Sequence, residues 1–133
     1  MHSEQNTSDM PDPGAAQEPD LQSLVDDRTR DIAEVPAVEL INTVAVHLLS
    51  AAAVKTGLAD DPAASDLKDL DEARKLITAL AGLVTAAAPE VSSTHAAPLR
   101  DGLRSVQLAF REASAVPDAP GQGPGEKWTG PVS

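Results

Sequence analysis

Three segments between residues 35 and 115 carry apolar residues at helical spacing. In the middle segment, Leu70, Ala73, Leu76, Ile77, Leu80, Ala81, Leu83, Val84 and Ala87 fall on one side at 100° steps, with Arg74, Lys75, Thr78 and Thr85 opposite. Asp69 caps its start, with Glu72 three residues on in a capping-box-like pattern, and it stops before Pro89. In the last segment, Leu99, Gly102, Leu103, Val106, Ala109, Phe110 and Ala113 share a side. Ser92 would cap this helix, but Pro98 would then lie inside it and disrupt it. The expected start is therefore near Ala97, with Pro98 in the first turn and the end before Pro117.

The first segment, about Pro36 to Thr56, has a different pattern. Glu39, Asn42, Thr43, His47 and Ser50 form one polar stripe, and apolar residues fill the rest of the circumference. Pro36 suits the first helical position and Gly57 the residue past the end. The run is about as long as a membrane span, but its continuous polar stripe and the charges within it argue for a soluble helix. An apolar arc this wide faces more than one neighbour. The expectation is that a second copy of the chain covers it through Ile41, Val44, Ala45, Leu48, Leu49 and Ala52.

Both ends read differently. Residues 1–34 form an acidic arm, disordered at least to Asp20, with weak helical spacing over 21–34 that allows a short or conditional helix. Residues 116–133 are rich in Pro and Gly and read as a disordered tail, in which Trp128 is either a short binding motif or a residue without a role. No basic stretch followed by an apolar core marks a secretory signal at the start.

Composition sharpens this picture. The chain has 133 residues, no Cys, one Phe, one Trp and no Tyr. Its core must be built from Leu, Val, Ile and Ala. Each large aliphatic contributes roughly 1.5–3 kcal/mol when fully buried, and Ala much less, so one copy alone is marginal. The net charge of −11 sits mainly in the arm, where nine acids face only Arg28 and Arg30. Such a balance argues against DNA binding, which needs clustered cations.

Candidate chemistry is sparse. His47 has only Thr43 and Ser50 near it on the helix, which makes a hydrolytic arrangement hard to build. No pair of histidines has metal-ligand spacing. Asp60, Asp61, Asp66, Asp69 and Asp71 lack the pattern of a calcium loop and read as a cap plus a solvated loop. Neither a metal nor a cofactor is expected. Arg100, Arg104 and Arg111 align on one side of the third helix with Gln107 and Leu108 beside them. They read either as a solvated face or as a surface that docks an acidic partner or ribosomal phosphate.

The run Ala-Ala-Ala-Val-Lys-Thr-Gly-Leu (51–58), then Asp-Leu-Asp-Glu-Ala-Arg-Lys-Leu-Ile (69–77), then Leu-Arg-Asp-Gly-Leu-Arg-Ser-Val-Gln-Leu-Ala-Phe (99–110) resembles the bacterial domain of unknown function 1844. The likeness spans about residues 36–113, and the tails suggest a high-GC actinobacterial member. It implies no catalytic residues and no known activity. It does imply a gene neighbouring that of translation initiation factor three. Pro98 departs from the family, which continues a charged helical start there. The reading is an all-α fold: a helical hairpin plus a third helix, flanked by disordered tails and completed by dimerisation. Functionally it is a non-catalytic, self-associating cytoplasmic module, with no integral membrane insertion. The alternative is an accessory factor of translation that docks on the ribosome or a protein partner through the arginine stripe.

Overall fold

The computed structural model describes residues 20–58 and 67–133, with side chains of 30–33 left aside. Five α-helices and one short 3₁₀ turn make up its elements, and there is no strand among the described residues. They are α1 (Leu21–Glu34), α2 (Ala37–Thr56), α3 (Leu70–Ala87), α4 (Ser93–Ala113) and α5 (Glu126–Thr129). The chain divides into two units at Pro36. The expectations for residues 1–19 and for Asp60, Asp61 and Asp66 lie outside the described residues.

The first unit contributes α1. Asp20 caps it, its carboxylate accepting from the Ser23 N–H at 2.8 Å. Its apolar residues Leu21, Leu24 and Val25 are exposed.

The second unit is a three-helix bundle in which α2, α3 and α4 all pack on one another, with α5 against α3. At the end of α2, Gly57 takes φ +82°, the left-handed conformation that terminates a helix. The Asp69 N–H then donates to the Lys55 carbonyl at 2.8 Å, so α3 starts where α2 stops. Asp69 accepts from the Glu72 N–H at 3.2 Å, which makes the cap expected from sequence. Glu72 turns instead to Lys75 Nζ at 2.7 Å, and that carboxylate raises the ammonium above its ordinary pKa.

The core joins Ala45 and Ala52 of α2 to Ala73, Ile77, Leu80, Ala81 and Val84 of α3 and Leu99, Leu103, Val106 and Phe110 of α4. The faces of α3 and α4 are those the spacing predicts. The start of α4 is not. It begins at Ser93, so Pro98 lies inside the helix rather than in its first turn. Thr94, Ala97 and Pro98 are all exposed, so the carbonyl that Pro98 cannot bond faces water. Burial of Ala96 and Leu99 holds that turn in place.

The largest departure is the C-terminal segment. The sequence reads 116–133 as disordered, yet here it forms a strap over α3 and α4, with Pro124, Gly125, Glu126 and Val132 buried. Its few apolar residues could not order it alone. Side chains of the bundle do so by binding its main chain. The Arg111 guanidinium donates to the Asp118 carbonyl at 3.1 Å, and Arg74 holds the Asp118 carboxylate at 3.0 Å. Gln107 Nε2 donates to the Pro124 carbonyl and to Thr129 Oγ1, both at 3.1 Å. Arg104 donates to the main-chain oxygen of Ser133 at 3.0 Å.

Candidate functional site

Helix α2 is inside out. Its fully buried residues are Ala45, Ala52 and Thr56, whereas Leu40 and Val44 remain 42% and 43% exposed. A helix serving only its own core puts its large side chains inward. Here small residues let the neighbours approach closely. A Cβ built on Gly102 of α4 would stand 2.6 Å from Leu49 Cδ2. Leu40 and Val44 are left on the outer flank, Val46 is exposed on the other side of the helix, and Leu48 and Leu49 pack partly against the core. Ile41, Val44, Leu48 and Ala51 follow one another at alternating steps of three and four, the spacing of a helix–helix seam. Of these, Val44 is exposed and the other three are half-buried.

This revises the interface expected from sequence. Ala45 and Ala52 belong to the bundle's own core, and Leu49 packs against it. Leu48 packs against that core too, half-buried; Ile41 and Val44 remain available, and Leu40 joins them.

The arginine face of α4 is also revised. Gln107, expected on the surface, is 2% exposed and holds the strap, and Leu108 is half-buried rather than exposed. Arg104 and Arg111 each bind the strap's main chain, while Arg100 makes no hydrogen bond or ion pair among the described residues. Trp128 lays its ring over Gly82 of α3, with Lys127 Nζ 4.4 Å from the ring centroid. Between the end of α3, the middle of α4 and the strap lies a cleft of about 380 Å³.

His47 is exposed, and Thr43 Oγ1 donates to the Glu39 carbonyl rather than to the imidazole. One contact escaped the sequence reading: Ser92 Oγ lies 2.9 Å from His95 Nδ1. Ser92 precedes the first turn of α4 and His95 stands three residues on, so the pair closes the helix start. It is exposed, and no carboxylate among the described residues bonds the ring. No cluster of three or more metal-ligating side chains occurs among the described residues.

Comparison with known proteins adds one result. No match was found among curated proteins or solved structures. Residues 37–112, more than half the chain, match a family described as Domain of unknown function (DUF1844). That segment begins with α2 and ends inside the last turn of α4, so the bundle lies within it and the strap beyond it. The chain is a member of this DUF1844 family.

Proposed function

We propose that the protein is a non-catalytic, self-associating helical module of the cytoplasm, and that two copies meet along the outer flank of α2. The observation that supports it is the inverted burial of that helix. Its alanines occupy the core while Leu40 and Val44 stay more than two-fifths exposed, with Ile41 and Leu48 beside them. Burying such side chains is the main favourable term in association. A two-fold axis beside the flank would set the same residues of both copies against each other. Sedimentation equilibrium tests this. The full chain is expected to gain mass with concentration toward twice 13.7 kDa. Val44→Glu should hold it at one copy with its helix content unchanged. A monomer at every concentration removes the proposal.

A membrane reading rests on the same helix. Helix α2 is long and apolar enough to cross a bilayer by length and composition, with 11% of its most apolar window buried. However, its alanine face is packed against α3 and α4, which carry the exposed groups Arg74, Lys75, Arg100 and Asp101. Spanning would require the bundle to come apart or those charges to enter hydrocarbon, at about 2.5–3.5 kcal/mol each near the centre. Flotation with liposomes separates the readings, because the self-associating module stays at the bottom of the gradient. Docking to a ribosome through α4 would have to use Arg100 and the free donors of Arg104 and Arg111, since Gln107 is enclosed by the strap.

A further inference from the structure

The cleft beside Trp128 has a composition that self-association does not use. Its apolar walls are Val84 and Pro89 from the end of α3 and beyond, Leu103 from α4, and Trp128 and Val132 from the strap. Arg100 and Arg104 stand one turn apart on its α4 side. Arg104 is fixed by the Ser133 main-chain oxygen, which leaves its remaining N–H groups to point elsewhere. Arg100 has no partner among the described residues. Thr85 brings a hydroxyl with no hydrogen bond among them. Gln107 lines the cleft with a buried amide. Its nitrogen is committed to Pro124 and Thr129, and its oxygen accepts nothing from the described residues.

Two cations aligned at a hollow of mixed polar and apolar lining are unexpected in a chain of net charge −11. A volume of about 380 Å³ is in the range of small-molecule sites. A guanidinium at the edge of such a hollow favours a planar or tetrahedral anion that it can bind through two parallel N–H groups. The apolar wall favours a hydrocarbon body behind that head. We infer that this cleft binds a small organic anion, with its carboxylate or phosphate on Arg100 and Arg104 and its apolar body against Trp128, Leu103 and Val132. Because Trp128, Thr129, Pro131 and Val132 lie beyond the segment matched by the family, the site belongs to this chain's strap as much as to the shared bundle.

The test uses the chain's own reporter. Trp128 is the single Trp and there is no Tyr, so intrinsic emission reports on this cleft, and Arg100→Gln separates it from the hollow beside Arg74 and Lys127 that Trp128 also lines. The full-length protein is titrated with cyclohexanecarboxylate and cyclohexyl phosphate, which do not absorb at the excitation wavelength. Cyclohexanol and acetate serve as the body alone and the head alone. A saturable change in emission with a Kd of about 1 mM or tighter is expected for at least one of the two anions. Arg100→Gln should weaken it at least about tenfold, as loss of a charge-assisted contact does. The variant's circular dichroism should match the parent, since Arg100 is exposed and has no partner among the described residues. Three outcomes overturn the inference: no saturable response to either anion, equal binding of cyclohexanol or acetate, or unchanged affinity in Arg100→Gln.

Discussion

Gly125 shows how single positions govern the C-terminal segment. It has φ +77°, and a Cβ built on it would stand 2.5 Å from the Cβ of Ala81 and 3.2 Å from Gln107 Nε2. Ala81 has no rotamer with which to yield. Gly125→Ala therefore adds the left-handed penalty of about 1–2 kcal/mol to a contact that cannot relax. The expected result is release of the strap, read as a red shift of Trp128 emission with far-ultraviolet circular dichroism retained. An unchanged emission would show that the strap does not depend on this close approach. Residues of this kind were hidden from the sequence. Arg104, Gln107 and Arg111 could be seen to align, but not that their donors would be met by carbonyls of a segment seven or more positions away. Binding of main-chain oxygens carries no mark in the identity of the residues that own them. A Pro- and Gly-rich stretch therefore reads as disordered until its partners are known.

Helix boundaries show where local rules hold and where packing overrides them. The cap of α3 was legible because Asp69 accepts from its own neighbour's N–H, a contact within three residues. Asp69→Ala should cost about 1 kcal/mol in denaturant unfolding, and the slope should not change. The start of α4 was not legible because local rules place Pro98 in the first turn, whereas the helix begins at Ser93. Burial of Ala96 and Leu99 on the opposite face outweighs the missing N–H of Pro98. Replacing it should accordingly help. Pro98→Ala restores a hydrogen bond on an exposed turn and removes a ring clash, so a gain of about 1–3 kcal/mol is expected. In a domain of this size each kcal/mol moves Tm by about 4–8 °C, which a thermal scan resolves. A lower Tm would mean that Pro98 is needed to shape the helix start.

For the molecule as a whole, the question is where the apolar surface of α2 goes. Sequence showed that this helix is apolar over too wide an arc for one stripe. It did not show which side would face the bundle. The answer follows from size: α3 and α4 bring Ile77, Leu80, Leu103, Val106 and Phe110 to the centre, where Ala45 and Ala52 of α2 are fully buried, with Leu48 and Leu49 packed partly beside them. Leu40 and Val44 are thereby turned outward, with Ile41 half-buried beside them. The proposed second copy covers them. Ser50 lies on the exposed polar stripe, away from the seam, and the chain has no Cys. A spin label on Ser50→Cys therefore reports the distance between copies without disturbing the contact. Facing helices lie about 8–10 Å apart, so electron–electron dipolar spectroscopy at about 100 μM should give a defined interspin distance within about 40 Å. Adding Val44→Glu should abolish it. No dipolar modulation in the parent, or modulation that persists in the double variant, would contradict the account.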